Sequence, residues 1–336
     1  MNIFYYLQYY FVLNNIITNF NVFSFKLFSN SLKQNINKMA VLSKIVYDYN
    51  FDNNKLCNHK KKKFNIKSEL DIKTNLTIDF IKNNDIYFDS YQYTSLLTYN
   101  DFTKTSEKYL DFINSKYPDT DIYGYFNNKN RLHLIILINH KLSEINVVYR
   151  GSLYFDEWYK NLKLNEVPLS FNDNFKIHKG LYQIYTNYNI DNNIIYILKN
   201  LFDYFPKYRK IFTGHSRGTI FCFLTVIELL SKLKEEYKYE IICFGSPQIL
   251  NKKIADFLHQ NKNIDIYNII NENDIVSYLP FFNKYHVGKE ILLKENDISM
   301  IEHKNPYQKK YDVLEFFKYI KNHDLQIYIE KLNKFL

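Results

Sequence analysis

The chain has 336 residues, 46% of them hydrophobic, and a formal charge of +9. That length and apolar share support one large packed α/β domain or two small ones, and they exclude a disordered chain. The charge is spread along the sequence apart from one run, His59-Lys60-Lys61-Lys62-Lys63, with no nucleic-acid module around it; the run reads as a solvated loop, the alternative being a weak attraction for anionic lipid headgroups.

Tyrosine, phenylalanine, asparagine, isoleucine and lysine are enriched at the expense of glycine, alanine and proline, the pattern that codon bias toward A/T-rich DNA produces; the 32 tyrosines therefore carry little functional weight by number. Cys57, Cys222 and Cys243 have neither metal-binding nor redox spacing, and the last two lie in apolar segments that suit buried free thiols. No disulfide framework, resident metal or cofactor is expected. The cysteines do not require secretion, and a cytoplasmic or membrane-associated location is favoured.

Along the chain, the first thirty residues carry one charge, Lys26, and many aromatics interrupted by Asn14, Asn15, Asn19 and Asn21. They have neither the basic start and compact apolar stretch of a signal peptide nor the run of about 20 apolar residues of a spanning helix. Residues 1–38 thus read as an extension, membrane-associated or disordered, before a helix at Met39 to Tyr47. Residues 39–104 read as that helix plus a polar, lysine-rich insertion.

From Thr105 the order becomes regular. A helix is predicted over 106–116 and strands over 122–126, 131–138 and 145–150, the first two joined into a hairpin by Asn127-Asn128-Lys129-Asn130. A helix around 180–204 follows, then strand to 213, helix from 216, strand 239–244, helix 251–261, strand 264–270, strand near 289–293, and helices near 308–321 and 324–334. This alternation implies that residues 105–336 form a mainly parallel sheet covered by helices, with active groups at the carboxyl ends of strands.

Gly214-His215-Ser216-Arg217-Gly218 stands out in a chain with only seven glycines, about a third of the usual share of roughly 7%. Gly-x-Ser-x-Gly is the pattern of a nucleophile elbow, a sharp strand-to-helix turn that exposes a serine hydroxyl. Here a β-leaning run, Tyr208 to Thr213, precedes it, and Ile220, Leu224, Ile227 and Leu230 recur at helical spacing after it, which is the context the motif needs. The bland reading, a glycine-punctuated helix start with a passive Ser216, fits that context less well.

Serine as nucleophile needs a histidine to take its proton and a carboxylate to orient that histidine. The downstream acids are Asp265, Asp274 and Asp297, and the bases His286, His303 and His323. Asp274 follows the carboxyl end of the strand 264–270, Asp265 lies at the opposite end, and Asp297 sits in a polar turn. His323 opens an amphipathic helix and His286 leads into a strand. Spacing alone leaves the histidine open.

The motifs Val147 to Ser152, Asp156-Glu157-Trp158, Asn161-Leu162, Ile177 to Leu181, Thr213 to Gly218, Phe244 to Pro247 and Asn271 to Pro280 resemble, in order, those of the class 3 or fungal-type lipases of the α/β-hydrolase superfamily. The resemblance covers most of residues 105–335. It implies a triad of Ser216, Asp274 and His323 and oxyanion donors in the backbone N–H groups of Ser152 and Arg217, while His286, the alternative base that spacing allows, matches a family histidine that is usually structural. It also implies a helical lid at about 153–170 bearing Leu153, Phe155 and Trp158, and a lipid ester as partner, met at a membrane or lipid-droplet surface. Three places depart from the pattern: Arg217 replaces a small apolar residue, Thr219 replaces a glycine, and Val276 to Pro280 lacks the usual proline right after the Asp274-Ile275-Val276 segment. A charged Arg217 near the mouth would suit an anionic substrate such as a phospholipid. The readings carried forward are an acylglycerol lipase, a phospholipase A1 or monoacylglycerol hydrolase, and a non-catalytic lipid-binding relative.

Overall fold

The computed structural model describes residues 21–24, 29–51, 118–126, 132–152, 166–187, 194–233, 237–279, 285–302 and 320–335. Several expectations lie outside these residues: the insertion through 104, the helix 106–116, the lysine run, His303, and the lid residues Leu153, Phe155 and Trp158.

Nine strands form one sheet. In chain order they are β1 (Asn21–Ser24), β2 (Thr120–Phe126), β3 (Leu132–Asn139), β4 (Glu144–Tyr149), β7 (Arg209–His215), β8 (Tyr239–Phe244), β9 (Ile264–Asn271), β10 (Lys289–Leu293) and β11 (Ile298–Glu302), with β5 (Glu166–Leu169) and β6 (Asn172–His178) forming a separate hairpin. The spatial order is β1-β11-β10-β9-β8-β7-β4-β3-β2. Its centre, β4-β7-β8-β9-β10, is parallel, and antiparallel strands flank it on both sides. The β2–β3 hairpin forms in antiparallel register as its sequence predicts.

Six helices are described: α1 (Asn30–Phe51), α2 (Lys179–Asn187), α3 (Ile195–Tyr204), α4 (Arg217–Lys232), α5 (Lys252–Gln260) and α6 (Leu325–Phe335). The strands read as continuous apolar runs because both faces of the sheet are covered. Alternate residues of β3 divide accordingly: Leu134, Ile136 and Ile138 join the core built with α2 to α5, while Ile135 and Leu137 join the core built with α1 and α6.

The helix expected from Met39 begins nine residues earlier, at Asn30, so residues 30–38 belong to the folded body rather than to an extension. Asparagine-rich sequence hides this turn, although Leu32, Ile36, Met39 and Ala40 keep helical spacing and pack into one cluster. Polar clips fix α1 to the amino ends of the central strands: Lys38 pairs with Glu144, Asn35 Nδ2 donates to Glu240 Oε1 at 2.9 Å, and Arg209 bridges Glu144 and Glu240 at 2.7 and 2.6 Å.

Further differences concern the middle of the chain. The helix expected around 180–204 is two helices, α2 and α3. The lid range of 153–170 cannot be helical to its end, because Glu166–Leu169 pairs with β6 as strand β5. That hairpin was hidden by Pro168 and by a strand whose exposed positions are all polar.

Candidate functional site

The site forms where β7, β8 and β9 end. Ser216 lies between β7 and α4 with φ +57° and ψ −127°, a backbone that side chains other than glycine rarely adopt. Holding a serine there costs on the order of 1–3 kcal/mol, and the surrounding structure must supply it. It is pinned from both sides: Ser216 N–H donates to Phe244 O at 3.0 Å, and its carbonyl accepts from Thr219 N–H at 3.1 Å and Thr219 Oγ1 at 2.7 Å. Thr219 Oγ1 also lies 2.9 Å from Ser246 Oγ, so the threonine ties the elbow to the end of β8. The elbow's own glycines are set by contact: a methyl group at Gly218 would lie 2.4 Å from Tyr149 O.

Asp274 follows β9 and is fully buried. Its Oδ1 accepts from Val276 N–H at 2.9 Å. Its Oδ2 accepts from Ser277 Oγ at 3.2 Å, from the Tyr328 hydroxyl of α6, and from His323 Nδ1 at 2.8 Å. Four donors thus converge on this one buried carboxylate. An ionised carboxylate only accepts, so His323 carries its proton on Nδ1 and keeps Nε2 as an acceptor. The loops bearing the two residues are stitched together, since Asn271 Nδ2 donates to Asn322 O at 2.9 Å and Asn322 Nδ2 to Asn273 O at 3.2 Å.

His323, not His286, meets the acid. His286 is buried with Nε2 3.0 Å from Ser246 O, away from Asp274. Asp265 is exposed near the start of β9, and Asp297 is exposed in the β10–β11 turn. Gly245 explains how the Asp–His pair comes so close to the elbow. At φ +57° it follows Phe244, whose carbonyl holds Ser216, and a methyl group there would lie 2.8 Å from Asp274 Oδ2 and 2.9 Å from His323 Cε1. Gly245→Ala should therefore push the pair apart and also strain the backbone. A loss of about 1–3 kcal/mol in stability and at least about tenfold in kcat is expected, measured by urea denaturation and ester turnover.

His215, the residue before the serine, is the group that sequence reasoning passed over. Its ring lies 4.4 Å from that of His323 between centroids, its Nε2 is 2.8 Å from His323 O, and its Nδ1 is 3.0 Å from the Tyr47 hydroxyl on α1. Burial, then the neighbouring His323, hold its pKa well below the ordinary histidine value. The folded state thus refuses a proton that the unfolded chain takes up below about pH 6.5. This stability is fully present above pH 6.5 and drains as pH falls, by about 1.4 kcal/mol per unit for one such group. Denaturant titrations at pH 7.5 and pH 5.5 should show that fall in the wild type and a shallower one in His215→Phe.

The oxyanion candidates stand at two element ends. Arg217 opens α4 next to Ser216, and Ser152 follows β4 with its hydroxyl buried and no hydrogen-bond partner among the described residues. The Arg217 guanidinium donates from Nη2 to Gly151 O at 3.2 Å and lies over the Phe221 ring at 5.6 Å. Among the described residues no cluster of His, Cys, Asp or Glu has the grouping of a metal site, and no helix is long and apolar enough to cross a membrane.

A strained serine between a parallel strand and a buried helix, with a buried Asp–His pair contributed from after a later strand, is the arrangement of the α/β-hydrolase fold. Residues 146–284 match the model of the class 3 lipase family, about two fifths of the chain. A curated lipase from Rhizomucor miehei is 26% identical over 164 residues, covering 47% of this chain and 44% of that protein, so the match spans less than half of the relative's length. Lipase II from Rhizopus niveus superposes with a TM-score of 0.56 at 17% identity over 90% of this chain and 96% of its own. A Rhizomucor miehei lipase in complex with its propeptide gives 0.53 at 17% identity over 87% and 78%. At such identities these likenesses establish the fold.

Proposed function

We propose that this protein is a serine hydrolase of carboxylic esters of lipids, with Ser216 as nucleophile, His323 as base and Asp274 as the acid that orients it. The observation that carries the reading is the buried Asp274–His323 pair, set against Gly245 beside the strained Ser216 elbow. The match of residues 146–284 to the class 3 lipase family and the likeness to a fungal lipase support a lipid ester as substrate.

In the proposed reaction Ser216 Oγ attacks the ester carbonyl while its proton passes to His323 Nε2, and Asp274 stabilises the imidazolium. The backbone N–H groups of Ser152 and Arg217 hold the developing oxyanion, each worth about 3–4 kcal/mol in such sites. Collapse breaks the ester C–O bond, and the alcohol leaves with the proton from His323. Water then repeats the sequence on the acyl-serine, returning the acid product and free Ser216.

The phospholipase reading drew on Arg217 as a headgroup contact. Its guanidinium is engaged by Gly151 O and Phe221, which explains the arginine without a headgroup and favours an acylglycerol over a phospholipid. A fluorophosphonate should label the wild-type protein at Ser216, and matched monoacylglycerol, triacylglycerol and phosphoglyceride esters should separate the substrate classes. A folded protein that resists labelling and turns over none of them is the non-catalytic lipid binder instead.

A further inference from the structure

Tyr47 stands on α1, a helix to which the proposed chemistry assigns no part, yet its hydroxyl reaches the middle of the site. It lies 3.0 Å from His215 Nδ1, the two rings meet edge to face with centroids 5.7 Å apart, and the same oxygen lies against the Gly151 backbone. A methyl group at Gly151 would sit 1.9 Å from that oxygen, so glycine leaves the space that the hydroxyl fills. On the far side of the imidazole, His215 Nε2 meets His323 O at 2.8 Å.

The polarity of this chain of bonds is fixed by its ends. The His323 carbonyl only accepts, so His215 Nε2 carries a proton. The imidazole is neutral, held so by burial and by His323, which leaves Nδ1 a bare acceptor. Tyr47 must then donate to Nδ1. Burial raises the Tyr47 pKa further and keeps it a donor. The groups facing His215 are Tyr47 and Lys44 from α1 and His323 and Tyr328 from the carboxyl-terminal segment. The Gly151 carbonyl is held as well, by Arg217 Nη2 at 3.2 Å.

We propose that Tyr47 and His215 are positioning residues. The one-directional chain Tyr47 O–H to His215 Nε2–H to His323 C=O, with Gly151 packed against the Tyr47 oxygen, locks the oxyanion loop before Ser152 to the backbone of the base, so both are in register before substrate arrives. This rests on the ester-hydrolase reading of Ser216, Asp274 and His323. Neither residue touches a reacting atom. Their effect is on how often the donors and the base are aligned, which reads out in kcat more than in KM.

Tyr47→Phe and His215→Phe keep the aromatic packing and remove the bonds. Each should lower kcat, counted per serine titrated by fluorophosphonate, by about tenfold with KM within about twofold of wild type. The double variant should cost little more than either single one, since one chain is broken once. Imidazole ¹⁵N spectra of the wild type should show His215 as the neutral Nε2–H tautomer at pH 7. Single variants with wild-type kcat per titrated serine, fully additive losses, or an Nδ1–H tautomer overturn the proposal. A wild type that neither labels nor turns over sinks the hydrolase reading itself, whereas one that does both while the variants match it sinks only the positioning role.

Discussion

Ser216→Ala is expected to lower ester turnover by about 10⁴-fold or more and to abolish fluorophosphonate labelling, while the protein stays folded. The hydroxyl makes no hydrogen bond on which the elbow's geometry depends, because the turn is held through the backbone N–H and C=O of Ser216 and the side chain of Thr219. Alanine also keeps the unfavourable φ of +57°, so stability should change little. Ser216→Gly separates the two properties. Glycine adopts that backbone without strain, and after its own entropic cost the variant should be about 1 kcal/mol more stable than wild type although equally inactive. Thermal denaturation of the three proteins beside an ester assay checks both halves. An active alanine variant would remove Ser216 from the chemistry. A glycine variant no more stable than wild type would mean that the elbow's strain is relieved elsewhere.

The central architecture was legible because its signals are local. Apolar runs such as Ile241-Ile242-Cys243-Phe244 mark strands covered on both faces, and glycines bracketing Ser216 mark a turn with one familiar geometry. The place of the proposed acid was marked too, since Asp274 follows the carboxyl end of β9, where such a sheet presents its chemistry. The choice of histidine needed the family resemblance, because nothing local says that the turn Ile320–His323 lies beside Asn271 rather than beside β10. Tyr47 was illegible for a different reason. It is one of the chain's 32 tyrosines, in a helix that reads as ordinary core, and its proposed role depends on where α1 brings it against His215 at the end of β7. The strands β5, β11 and β1 were missed because, at four or five residues each, they are too short for a period of two to stand out.

Asp274→Asn tests whether the buried pair sets the tautomer of the base. The carboxylate receives four donors, one on Oδ1 and three on Oδ2, and asparagine cannot accept on both sides. If the amide NH₂ takes the Oδ2 position, it confronts the Ser277 and Tyr328 hydroxyls and donates toward His323, which then moves its proton to Nε2 and loses the acceptor that Ser216 needs. If the amide oxygen takes that position, the NH₂ is forced against Val276 N–H, and the carboxylate's charge is absent when the imidazolium forms. Either way kcat should fall by about 10³ to 10⁴-fold. Stability should drop by about 1–3 kcal/mol for the buried donor left unpaired. Tyr328→Phe is the control, since it removes one of the same donors but leaves the charge. Its kcat loss should stay within about tenfold. The two losses, measured on serine-titrated protein, separate the charge at Asp274 from the scaffolding around it. Equal losses would assign the effect to the scaffold, and a loss confined to Asp274→Asn would assign it to the charge that fixes the proton on His323 Nδ1.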